Sequence, residues 1–71
     1  MQVNFKGRTI AYGAQGRFHS LDEPWVYDGY AWDIESGIEA KVNHDKESDK
    51  VIQVAVKEVI KKLEAQGILQ D

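Results

Sequence analysis

Cysteine is absent from this 71-residue chain, so no disulfide or thiolate metal site can support it and the fold has to rest on packing. Such a chain fits a reducing compartment, and a cytoplasmic location is expected. Proline occurs once, at Pro24, where it cannot donate to a central ladder. No apolar run is long enough to cross a bilayer, and signal-peptide, lipidation and repeat patterns are missing, so no membrane role is expected. Acids are missing from residues 1–20, which carry Lys6, Arg8 and Arg17, whereas residues 21–49 carry nine acids against Lys41 and Lys46. With a formal net charge of −3 the chain repels a phosphate backbone, while its acidic middle suits a basic protein surface. Size is a further shortage. A domain this short buries only roughly 60% of its unfolded surface, too little for a deep private cavity.

What is present is organised around residues 45–67, where apolar side chains recur at helical spacing. Ile52, Ala55, Val56, Val59, Ile60 and Leu63 follow the i, i+3, i+4, i+7 pattern and predict one wide apolar stripe that needs a sheet to lie on. The helix is expected over about 46–66. Asp45 is the expected N-cap with Ser48 as its rival, and Glu47 and Asp49 suit the positive end of the dipole. Gly67 is expected to take the left-handed conformation and bring Ile68 back over Leu63. Lys57, Glu58, Lys61, Lys62 and Glu64 make a solvated face, with Glu58 and Lys62 in favourable i, i+4 order.

Residues 2–42 read as strands. A hairpin turning at Lys6 and Gly7 sets Val3 opposite Ile10 and Phe5 opposite Arg8, and segregates Val3, Phe5, Ile10 and Tyr12 from Gln2, Asn4, Thr9 and Ala11. Ala14, Gln15 and Gly16 are expected to form a second loop that sets Tyr12 opposite Phe18. Asp22, Glu23 and Pro24 then break the strand. Glu35, Ser36 and Gly37 predict a three-residue loop pairing Ile34 with Ile38, Trp32 with Ala40 and Tyr30 with Val42. Asp28 and Gly29 form either a two-residue turn or a bulge, with the bulge favoured, and both return Trp25 and Tyr27 to the face of Tyr30 and Trp32. The other face then carries Asp33, Glu35, Glu39 and Lys41, with Asp33 directly opposite Glu39.

The fold class that follows is α+β: an antiparallel β-meander of four to five strands in a single domain spanning residues 1–71, with one long C-terminal α-helix packed on one face. Strands followed by a helix also occur in double-stranded-RNA-binding domains. The helix start those domains make basic is here Asp45, Lys46, Glu47, Ser48 and Asp49, so that function is not carried over.

No constellation with catalytic geometry emerges. His19 with Asp22 and Glu23, and His44 with Asp45, are the only acid–base or ligand candidates, and neither offers three converging ligands or a nucleophile oriented by a base. Gly7, Gly13 and Gly16 precede no helix and make no phosphate cradle. No enzymatic activity, metal or cofactor is therefore expected. Surplus aromatics beside an acidic face point to a non-enzymatic protein-binding module with a basic partner, the expected contact residues being Asp22, Glu23, Trp25, Tyr27, Asp33, Glu35 and Glu39. Small acidic inhibitors or adaptors of phages and mobile elements share that size and charge. The alternative is a weak single-stranded nucleic-acid binder stacking bases on Tyr12 and Phe18 with Arg8 and Arg17 on phosphates; three cations are few for it. A homodimer through a sheet edge or the aromatic face is compatible with the same pattern.

Overall fold

The structure is a computed structural model that describes residues 1–18, 21–22, 25–45 and 47–69, with Phe18, Trp25, His44 and Asp45 described by backbone alone. The helical stripe forms as its spacing dictates. Helix α1 spans Ser48–Ala65 and buries Val51, Ala55, Val59 and Leu63, one residue per turn, with Ile52, Val56 and Ile60 half-buried beside them. Full burial of Val51, Val59 and Leu63 stabilises by about 1.5–3 kcal/mol each. The start of the helix differs from expectation. Strand pairing runs on through Asp45, so the N-cap falls at Glu47, which makes no side-chain cap bond, and Ser48 is already helical. At the other end Gly67 has φ 74°, its N–H donates to Glu64 O at 3.0 Å and that of Ile68 to Leu63 O at 2.9 Å, which is a Schellman closure. Leu69, and not Ile68, then joins the core. Glu58 pairs with Lys61 at 3.7 Å, while Lys62 Nζ donates to Glu39 O at 2.7 Å.

The sheet has four strands, β1 (Gln2–Phe5), β2 (Arg8–Phe18), β3 (Trp25–Asp33) and β4 (Glu39–Asp45), in the order β1-β2-β3-β4 and antiparallel throughout. The first hairpin has the expected register, with Lys6 at φ 50° and Gly7 at φ 81° in its turn. The second loop does not form where expected. β2 runs straight through Ala14, Gln15 and Gly16 and pairs with β3 from Ile10↔Asp33 to Phe18↔Trp25, so the connection moves to residues 19–24 and Tyr12 faces Ala31. Glycine inside a strand marks close approach by a neighbour as well as a turn, and Gly13 belongs to the first kind.

The β3–β4 hairpin keeps its turn and changes its register. Asp33 closes a loop of residues 34–37: its N–H donates to Ile38 O and its carbonyl accepts from Gly37, both at 2.8 Å, while its carboxylate accepts from Ser36 N–H at 2.9 Å. Gly37 has the expected positive φ, 77°. The loop is one residue longer than expected, so the pairs are Trp32↔Glu39, Ala31↔Ala40 and Tyr30↔Lys41. A slip of one residue exchanges the two faces. At Asp28 and Gly29 the favoured bulge replaces the turn: β3 is one long strand with a register shift between Tyr27 and Gly29, but the extra residue lies on β4, between the Gly29↔Val42 and Tyr27↔Asp45 pairs, so Tyr27 is not returned to the face of Tyr30.

The face under the helix is therefore lined by small residues. Ala31 and Ala40 join Ile10, Ala55, Val59, Leu63 and Leu69 in the core, with Phe5, Tyr12, Ile38 and Val42 packed at its margin. Gly29 lets the helix come close, since a Cβ there would lie 2.6 Å from Val51 O. α1 contacts β2, β3 and β4 but does not reach β1 among the described residues. Alternation sends Tyr30 and Trp32 to the open face, away from the helix.

Candidate functional site: the open sheet face

Asp33 was expected on a wet acidic surface, yet it is fully buried. Its cross-strand neighbour is Ile10 and not Glu39, so the expected like-charge pair does not exist. Arg8 grips it from the next strand, Nε donating to Oδ1 at 3.3 Å and Nη2 to Oδ2, while Nη1 reaches Glu35 at 3.0 Å. Hydrogen bonding from Arg8, reinforced by Ser36, holds the Asp33 carboxyl below the usual carboxylate range against the opposing effect of burial. Arg8 is in turn held above its ordinary value, chiefly by the bond to Asp33. A carboxylate locked in its charged form with its oxygens occupied neither accepts nor gives a proton near neutrality. The cluster ties β2 to the β3–β4 turn, leaving Asp33, one of the expected contact residues, without exposed surface and Arg8 engaged by two carboxylates.

The other expected contact residues are not gathered in one place. Asp22 is exposed in the β2–β3 connection and Glu35 in the turn at the opposite end of β3, where it pairs with Arg8. Glu23 lies outside the described residues, and Trp25 is placed only as the start of β3. Tyr27 is half-buried and alternates to the side of Gly29 and Ala31, opposite to Tyr30. Glu39 is exposed on the open face beside Trp32.

That open face holds two rings that are not among the expected contact residues. Tyr30 and Trp32 stack with ring centroids 5.6 Å apart and an interplanar angle of 14°, and they remain 38% and 39% exposed. Their seat is β2. A Cβ at Gly13 would lie 2.6 Å from Tyr30 Cζ, so the phenol lies where only glycine leaves room, and Trp32 sits across from the buried Ala11. Around the rings stand Glu39 beside Trp32, Lys41 beside Tyr30, and an Arg17–Asp28 ion pair at 3.2 Å. The small residues Ala11 and Gly13, alternating in what is one long strand, were the available sign that large rings lie over them.

A second concavity lies on the helix side. Ile52, Val56, Tyr12 and Val3 line a groove of about 290 Å³, with Gln53 and Lys57 on its rim. Among the described residues no group of three His, Cys, Asp or Glu side chains converges as metal ligands, and no helix is long and apolar enough to cross a membrane. The residues of the nucleic-acid alternative are divided: Tyr12 and Arg17 alternate to opposite faces of β2, and Arg17 is paired with Asp28. His19 lies outside the described residues, as His44 does in its side chain. Compared with family models, curated proteins and solved structures, the chain matches none.

Proposed function

We propose that the protein is a non-enzymatic protein-binding module whose contact surface is the open sheet face centred on Tyr30 and Trp32, and whose partner presents a basic surface. The observation that supports this is the stacked ring pair left more than one-third exposed on the sheet face opposite the helix. Tyrosine and tryptophan carry a disproportionate share of binding energy at protein interfaces, because they bury much area at small entropic cost. A partner arginine or lysine gains twice here, from the faces of the rings and from the Glu39 carboxylate beside Trp32. Lys41 on the Tyr30 side confines that cation to the Glu39 end.

The test is capture from lysate of the source organism by the wild type and by Trp32→Ala, Glu39→Gln and Val54→Ala variants, each shown to be folded by circular dichroism. Val54 is exposed on the far side of the helix and serves as control. A protein held by wild type and Val54→Ala, bound at least tenfold more weakly by Trp32→Ala and associating more slowly with Glu39→Gln at low salt, is the expected result. Recovery of nucleic acid alone, with steep salt dependence, would replace this reading by the single-strand one.

A further inference from the structure

The edge strand β1 and the groove beside it form a second candidate surface, on the other side of the sheet from the rings. In the first hairpin the paired backbone bonds fall at alternate residues. Tyr12 N–H donates to Met1 O at 2.8 Å and the Met1 amine to Tyr12 O at 3.2 Å, which makes Met1↔Tyr12 a bonded pair. Val3↔Ile10 and Phe5↔Arg8 share its phase, so the N–H and C=O groups of Gln2 and Asn4 point outward from the sheet edge. An exposed edge of this kind is a template for another strand.

Val3 is 40% exposed on the helix side of that edge. The helix leaves it uncovered for a reason already visible: Gly29, Ala31 and Ala40 draw α1 down onto β3 and β4, and the space towards β1 becomes the apolar groove of Val3, Tyr12, Ile52 and Val56. Its volume of about 290 Å³ is at the lower limit of small-ligand pockets, roughly 300–1,000 Å³, and suits one or two side chains. Lys57 stands on the rim, and among the described residues no carboxylate pairs with it.

We propose that an extended segment of a partner protein adds to β1 as a fifth, antiparallel strand, seating an apolar side chain across from Val3 in the groove and an acidic group at Lys57. Backbone bonds to Gln2 and Asn4 hold such a strand, and the period of two chooses which of its side chains enter the groove. A second copy of this chain fits the same edge by hydrogen bonding and fails by charge. Its β1 would bring Lys6 of the adjoining turn and no acid, because residues 1–20 contain none. This goes beyond the open-face reading and uses residues that reading does not, so either can fail alone.

The test uses the whole chain, labelled for NMR, and a panel of ten-residue peptides alternating Val or Ile with polar residues and carrying either Glu or Lys at the ends. Expected are exchange protection of the Gln2 and Asn4 amides, shifts at Ile52 and Val56, and at least tenfold tighter binding of the Glu peptides. Lys57→Glu should invert the preference, Val3→Asp should abolish binding, and Trp32→Ala should leave it unchanged. The proposal is overturned if no peptide at millimolar concentration protects Gln2 and Asn4. It is equally overturned if protection rises with protein concentration alone, which would assign the edge to a second copy, or if Glu and Lys peptides bind alike.

Discussion

The two faces of this sheet solve one packing problem in opposite ways. On the covered face the sheet contributes small residues, Gly29, Ala31 and Ala40, and the helix contributes the bulk through Val51, Val59 and Leu63. On the open face the bulk comes from β3 itself, as Tyr30 and Trp32 fold over Ala11 and Gly13 of the neighbouring strand. Both faces place large on small. They differ in what stands over the glycine: a helix backbone, fixed by its own hydrogen bonds, on one side, and the far end of a rotatable side chain on the other.

The same substitution on both faces measures that difference, and the largest effect belongs to the covered face. Gly29→Ala puts a Cβ 2.6 Å from Val51 O and 2.7 Å from Val51 C, so the N-terminal half of α1 must lift off β3. A cost of about 2–3 kcal/mol is expected, because strain against backbone is not relieved by a rotamer change. Chemical denaturation measures it. A loss under about 0.5 kcal/mol, within the range of ordinary surface substitutions, would mean the helix does not rest on Gly29.

The Arg8–Asp33 cluster, which fastens the turn end of both faces, comes next. Asp33→Ala removes the acceptor of Arg8 Nε and Nη2 and of Ser36 N–H and leaves the guanidinium only Glu35, for an expected loss of about 2 kcal/mol at pH 7. The pH dependence follows from the depressed Asp33 carboxyl. A carboxyl more acidic folded than unfolded binds fewer protons in the folded state, so its stabilisation is complete above the unfolded value of about 3.9 and is lost as pH falls from there through the folded value. The difference between wild type and Asp33→Ala should therefore be flat from about pH 5 to 8 and shrink below about pH 4. Urea titrations across that range check it, and a difference that grows on acidification would show that Asp33 is not held charged.

How legible this was in the chain depends on the range of the interaction. The helical stripe, the Lys6–Gly7 turn and the left-handed Gly37 and Gly67 are encoded within a few residues and could be read directly. The β3–β4 register could not, because it turns on Asp33 preferring Arg8, 25 residues away, and the backbone of its own turn to a place on the surface. One residue of slip then moved Tyr30 and Trp32 from under the helix to the open face. Gly29 carries a role that no local signal shows: beside the register shift at Asp28 it permits close approach, which only the helix over it reveals. The candidate site was therefore half legible: aromatic surplus was evident, but its members on the surface were set by long-range packing.

The smallest expected effect on stability is the counterpart on the open face. Gly13→Ala places its Cβ 2.6 Å from Tyr30 Cζ, nominally as severe a conflict as at Gly29, yet the obstacle is the tip of a ring that turns about two single bonds into solvent. The strand gains from replacing glycine, which offsets part of the cost, so the net change should stay under about 1 kcal/mol. What changes is the surface. The phenol must leave its seat, the stack with Trp32 opens, and the near-ultraviolet circular dichroism of the ring pair should weaken while the far-ultraviolet spectrum is kept. Any partner that uses both rings as a unit should bind this variant less tightly although it is as folded as the wild type. If Gly13→Ala instead unfolds the chain as readily as Gly29→Ala, the rings are as rigid a layer as the helix. The distinction between a covered and an open face would then have no physical content.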